Sequence, residues 1–152
     1  MSNVISFRAT LLLLAAGLTS ACSSLHPYQG SAPDNMNINV DVRSGSARVD
    51  VYSADKPCDV SYQGTVELSD KKVKIGIPAN RMSYLVFSFE GGSYFTGYHT
   101  TSTAIYLTPR AGYRYEAAVS YADAMYSATI YEQDAHGARR EIPRLKPACA
   151  AQ

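Results

Sequence analysis

Three histidines, three cysteines and a scatter of serines and carboxylates are the side chains of this 152-residue chain with the chemistry for catalysis or metal binding. Their spacing argues against most of it. His26 lies in a stretch rich in Ser, Pro, Asn and Gly, and His136 lies in Asp134-Ala135-His136-Gly137, each without a second ligand nearby in sequence. His99 stands between Tyr98 and Thr100, and no HxH, HExxH or Cys/His cluster is present, so no metal site is expected. No serine occupies a G-x-S-x-G elbow, and Gly91-Gly92 runs into strand-like residues where a phosphate loop would run into a helix. Glu90 and the pair Glu132 and Asp134 are the carboxylates with the best chance of meeting another, and they read as solvated loop charge. No catalytic residue and no cofactor are therefore expected, and a hydrolase assembled from separate strands is the least favoured reading.

Aromatic residues are the compositional oddity: 12 tyrosines and 4 phenylalanines, with no tryptophan. Most tyrosines are expected to pack on sheet faces, where a large ring with a polar tip suits a half-buried pleated surface. The glycine-punctuated stretch carrying Tyr94, Phe95, Tyr98 and His99 differs, because it offers three aromatics where a loop is expected. Aromatics held on loops of a rigid scaffold make contact surface for a protein or a sugar. Arg110, in Thr108-Pro109-Arg110-Ala111-Gly112, joins that candidate set as a residue expected near one end of the domain, whereas Arg139 and Arg140 read as edge-strand charge.

The N-terminal region has three parts: a short n-region ending at Arg8, an apolar run over residues 9–18, and small residues leading to Cys22. An apolar run of that length is too short to cross a bilayer and reads as a secretory signal. The stretch Leu18-Thr19-Ser20-Ala21-Cys22 resembles the lipobox of bacterial lipoproteins, with threonine three places before the cysteine where leucine is usual. The resemblance implies removal of residues 1–21 and a Cys22 bearing thioether-linked diacylglycerol and an acylated amine, with chains of the palmitate kind. Each buried methylene adds about 0.8 kcal/mol, so several chains anchor a protein to the membrane well beyond the reversible regime of one. Ser23 at the second mature position resembles lipoproteins passed on to the outer membrane, which implies a domain in the periplasm or on the cell surface. With Cys22 committed to lipid, Cys58 and Cys149 are two thiols in an oxidising compartment, and a disulfide between them is expected.

The elements that must position these residues follow from composition and period. Lys plus Arg number 14 against 13 Asp plus Glu, and Arg8 leaves with the signal. A neutral chain without a basic run has no electrostatic case for nucleic acid. Residues 22–36 read as a lipidated tether and 37–152 as one domain. Apolar alternation of period two predicts a hairpin of residues 38–42 and 47–51, then strands near 60–68, 72–77, 84–89, 93–98, 103–107, 113–121, 125–132 and 138–142. Residues 84–89 are apolar on both faces, as a central strand would be. The expected fold is a single all-β sandwich of roughly eight to ten short antiparallel strands. It resembles immunoglobulin-like and transthyretin-like modules in general shape only. The expected function is a non-enzymatic protein-binding or accessory lipoprotein of the envelope, of the assembly, inhibitor or immunity type. The alternative is a carbohydrate or peptidoglycan binder.

Overall fold

The computed structural model describes residues 25–41, 46–93, 97–122 and 125–144. The expected signal of residues 1–21, Cys22, Tyr94, Phe95 and Cys149 lie outside the described residues, as do the side chains of Tyr98 and His99. The described chain is all-β with nine strands: β1 (Met36–Asp41), β2 (Ser46–Lys56), β3 (Asp59–Glu67), β4 (Lys72–Ile75), β5 (Met82–Ser93), β6 (Gly97–Leu107), β7 (Arg114–Ala122), β8 (Met125–Gln133) and β9 (Arg139–Glu141). They form a five-stranded sheet of order β4-β1-β7-β8-β9 and a four-stranded sheet of order β3-β2-β5-β6.

Period two does the positioning. Successive side chains of a strand point to opposite faces, so one apolar residue in two lines a common interior. Ile38 of β1, Val49 of β2, Leu85, Phe87 and Phe89 of β5, and Ala117 of β7 are all fully buried and belong to one cluster shared by both sheets. Phe89 of the four-stranded sheet stacks on Tyr126 of the five-stranded one, with ring centroids 4.6 Å apart. β5, apolar on both faces, is an interior strand, as its pattern predicts.

Three expectations are corrected. Residues 38–42 and 47–51 do not form a hairpin: β1 pairs with β4 and β7, β2 pairs with β3 and β5, and the chain changes sheet between them. Alternation reports which face is buried and carries no information on which strand is the neighbour. The sheets are not wholly antiparallel either, since β1 runs parallel to β7. Gly91 and Gly92 do not break a strand; they pair with His99 and Tyr98, and the expected strands at 93–98 and 103–107 lie within one long hairpin, β5–β6. The ladder hydrogen bonds outweigh the modest cost of glycine in a strand.

The tether expected over residues 22–36 is, in its described part, bound to the domain. Pro27 bridges to Thr65 in parallel, Thr65 N donates to His26 O at 2.8 Å and Tyr28 N to Thr65 O at 2.9 Å, which covers the edge of β3. Tyr28 Oη donates to Gly76 O at 2.7 Å. Asn35 then replaces a strand residue: its Nδ2 donates to Ile77 O at 2.7 Å while its Oδ1 accepts from Ile77 N at 2.9 Å. Met36 already belongs to β1 and is buried. Two glycines allow this approach. A Cβ on Gly64, which has φ +142°, would lie 2.5 Å from Tyr28 Cα, and one on Gly76 would lie 1.9 Å from Ala32 O.

Candidate binding surface

Of the aromatic set expected at Tyr94, Phe95, Tyr98 and His99, the backbones of Tyr98 and His99 lie at the start of β6, and Tyr94 and Phe95 are outside the described residues. Arg110 follows the other end of β6, an 11-residue strand. At about 3.3 Å per residue Arg110 is separated from the backbones of Tyr98 and His99 by roughly 30 Å along the strand, so the fold does not bring Arg110 to these two.

A different aromatic surface crosses the whole four-stranded sheet. Tyr62 of β3, Tyr52 of β2, Tyr84 of β5 and Tyr106 of β6 occupy registered positions, Tyr52 opposite both Tyr62 and Tyr84, and Tyr84 opposite Tyr106. Their rings touch in sequence, with centroids 5.4, 5.7 and 4.4 Å apart. The row lies on the face opposite the buried Val51 and Leu85, and so points away from the core. A bulge makes the register: Val51 faces Gly64 while Tyr52 faces Tyr62, which leaves Gln63 as the extra residue.

The row is graded in exposure. Tyr62 is 43% exposed at one end and Tyr106 only 7% at the other, where its Oη accepts from Cys58 N at 3.2 Å. Burial pushes the Tyr52 and Tyr84 phenols above their ordinary range, with Asp50 adding to the effect at Tyr52, so both stay protonated and able to donate. Beside the row, Tyr62 Oη meets Thr65 Oγ1 at 2.6 Å and Thr65 Oγ1 donates to Asp50. Arg48 Nη1 pairs with Glu90 Oε1 at 2.6 Å, while Arg48 Nε is buried without a hydrogen-bond partner. Glu90 is thus the ion-pair partner of Arg48, six residues along β5 from Tyr84. Edge-to-face and tilted tyrosines flanked by fixed charges can give a partner apolar area, hydroxyl donors and an orienting field at once.

Arg110 has its own role at the end of the five-stranded sheet. Glu132 shares the inward face of β8 with Ala128 and Ile130, lies opposite the buried Tyr115, and is itself buried, contrary to the expected solvated charge. Arg110 Nη2 donates to Glu132 Oε1 at 2.5 Å and Arg110 Nε to Oε2 at 3.3 Å, and Arg140 of β9 also donates to Oε1. The Arg110 guanidinium lies 3.8 Å from the Tyr113 ring centroid, and Arg110 N donates to Tyr115 Oη at 2.7 Å. Arg139 and Arg140 are on an edge strand as expected, but both are paired, Arg139 over the Tyr131 ring and with Glu116.

Burial alone would raise the Glu132 carboxyl, but hydrogen bonds and charge from both arginines outweigh it and hold the group below its ordinary value of 4.5. A carboxylate whose folded pKa is depressed stabilises the fold above its unfolded pKa, and that stabilisation disappears as pH falls through the folded value. Glu132→Gln is therefore expected to cost about 1–2 kcal/mol near neutral pH. Urea unfolding should show the difference from wild type shrinking as pH falls below 4.5; a difference that is constant with pH would show that the charge is not what stabilises.

A cavity of about 200 Å³ lies where the docked N-terminal segment meets the four-stranded sheet, lined in part by Gln29, Ser31, Ser53, Gln63, Arg81 and Ser83. His136 sits in the expected turn, where Asp134 Oδ1 accepts from His136 N and Ala138 N. Among the described residues no group of three or more His, Cys, Asp and Glu is arranged to hold a metal ion. Period two offered a signal for Glu132, which alternates in phase with Ala128 and Ile130; the cavity has none, because its walls come from four separate segments. No family model matches the chain, and neither do the curated proteins or solved structures compared with it.

Proposed function

We propose that this chain is an outer-membrane lipoprotein, anchored through lipid on Cys22, whose β-sandwich domain is a non-enzymatic module that binds a protein partner in the envelope. The observation that carries the binding reading is the tyrosine row, four registered rings across a whole sheet face with Tyr62 43% exposed. Tyrosine is enriched where interfaces hold their binding energy, because it combines large rigid area with a hydrogen-bonding tip. The sandwich reading is supported by the single buried cluster to which both sheets contribute. The anchor reading rests on the lipobox-like stretch ending at Cys22.

Cys58 enters the same reading. In this proposal lipid on Cys22 leaves Cys149 as its disulfide partner. That bridge would tie the C-terminal tail to the β2–β3 turn beside Tyr106. The deciding experiment is crosslinking in the native host, with the full-length protein extracted from membranes. A stoichiometric protein partner is expected with wild type and is expected to be lost with Tyr52, Tyr62 and Tyr84 changed to serine. Mass spectrometry of the same extract should find acylated Cys22 and a Cys58–Cys149 peptide. Retention of the partner by the triple variant sinks the tyrosine face, and a Cys22–Cys58 peptide sinks the anchor.

A second reading, a carbohydrate or peptidoglycan binder, is favoured by one observation, the hydroxyl- and amide-lined cavity beside the docked segment.

A further inference from the structure

We propose that the cavity between the docked N-terminal segment and the four-stranded sheet binds a single acidic sugar residue, its carboxylate held by Arg81 and its ring hydroxyls by Ser83 and the neighbouring amides and hydroxyls. The proposal rests on the saccharide reading and shares one residue, Tyr52, with the tyrosine face, whereas Arg81 and Ser83 belong to the cavity alone. Its walls come from four segments: Gln29 and Ser31 from the docked segment, Ser53 from β2, Gln63 from β3, and Arg81 with Ser83 from the turn into β5. Gln63 is available because the β2–β3 bulge leaves it unpaired in the ladder. Its Nε2 donates to Ser53 Oγ at 3.0 Å and to Ser61 O, which leaves its carbonyl oxygen to accept from a ligand.

Two side chains point to an occupant. Ser83 is 3% exposed, lines the cavity, and its hydroxyl has no partner among the described residues. With no protein partner, that hydroxyl is open to the cavity and can exchange water for a ligand hydroxyl. Arg81 is the one charged residue of the lining and makes no ion pair among the described residues. A guanidinium presents a planar fork of donors that matches a carboxylate.

Size and chemistry narrow the class. Sites for drug-sized ligands occupy about 300–1,000 Å³, and a cavity of about 200 Å³ suits one ring. Hydroxyls and amides both donate and accept, as do the vicinal hydroxyls of a sugar. A fatty acid would leave those groups unpaired, and an inorganic anion would leave most of the space unfilled. One cation calls for one negative charge. Wall glycan freed of its stem peptides, through the lactyl carboxylate of muramic acid, and acidic polysaccharide, through a uronic acid, share this chemistry.

The test uses the folded full-length protein, with titration calorimetry and saturation-transfer NMR against N-acetylmuramic acid and D-glucuronate, and against N-acetylglucosamine and D-glucose as neutral counterparts. A dissociation constant of about 1 mM is expected for at least one acid, with its neutral counterpart at least about tenfold weaker. Whichever acid binds identifies the source. Arg81→Gln, at an exposed turn, should weaken binding about tenfold. Ser83→Ala should weaken it several-fold with no loss of thermal stability, since the hydroxyl has no protein partner to lose. No binding of either acid at about ten times the expected constant overturns the proposal, as do equal binding of the neutral sugars or wild-type affinity in either variant. Sedimentation with purified sacculi, intact and stripped of stem peptides by an amidase, separates this from the broader reading. Wild type and Arg81→Gln sedimenting equally would leave a glycan binder whose site lies elsewhere, and failure of all arms would remove both.

Discussion

Replacing Gly76 with alanine is expected to destabilise the protein by about 2 to 3 kcal/mol and to lift residues 25–35 off the sheet. The added methyl group would stand 1.9 Å from Ala32 O, 2.8 Å from Ala32 C and 3.0 Å from Pro33 O. All three are backbone atoms, so no side-chain rotation relieves the overlap. The segment must move, and the Tyr28 Oη bond to Gly76 O and the Asn35 pairing with Ile77 are the contacts at stake. Denaturant unfolding measures the loss, and hydrogen exchange at Tyr28 N and Thr65 N, which bond across the same junction, reports whether the segment has opened. Because Gln29 and Ser31 form one wall of the cavity, the variant should also lose acidic-sugar binding. A loss under about 0.5 kcal/mol with unchanged exchange would show that the close approach is not what holds the segment.

A larger loss, about 3 to 5 kcal/mol, is expected for Phe89→Ala. Phe89 is fully buried on β5, between Ala47 of β2 and Thr101 of β6, and stacks on Tyr126 at an interplanar angle of 12°. Alanine leaves a void that a two-sheet core collapses into only partly, and it removes a ring contact joining the sheets. Phe89→Leu keeps most of the volume and should cost clearly less. Val86, one of the outward-facing residues of the same strand, is the control: Val86→Ala should cost under about 1 kcal/mol. Urea midpoints with an unchanged slope would measure all three. Equal costs at Phe89 and Val86 would mean that the two sheets do not share their stability across this contact.

Strand existence was legible because burial follows alternation residue by residue. Ile38, Val49, Phe87 and Ala117 are inward in the sequence pattern and fully buried in the fold. Neighbourhood was not legible: the same alternation in β1 and β2 serves a hairpin or a change of sheet, and hydrogen-bond partners leave no mark on hydropathy. The docked segment escaped notice for a related reason. Its contacts are backbone groups, the Tyr28 and Asn35 side chains and two glycines, none of which forms a period. The tyrosine row joins residues from four strands far apart in sequence, and only one of its contacts had a local signature. Tyr52 and Tyr62 stand equally far on either side of Pro57, in the turn where Cys58 has φ +71°. Arg110 stands out by its place after a proline near the domain's end, but its partner Glu132 reads as solvated loop charge in sequence, whereas it lies within β8 on the inward face.

The docking of His26 and Tyr28 against β3 sets a length for the leash. With lipid on Cys22 as proposed, four residue steps separate the anchor from the first backbone bond to the domain at His26. A fully extended chain covers at most about 14 Å in that span. The domain would therefore work as a surface-hugging body whose reach is little more than the thickness of a lipid headgroup layer. A partner or glycan strand would have to come to the membrane to be bound, and lengthening the leash with a flexible insert between Cys22 and His26 would extend the radius of capture without touching either candidate site.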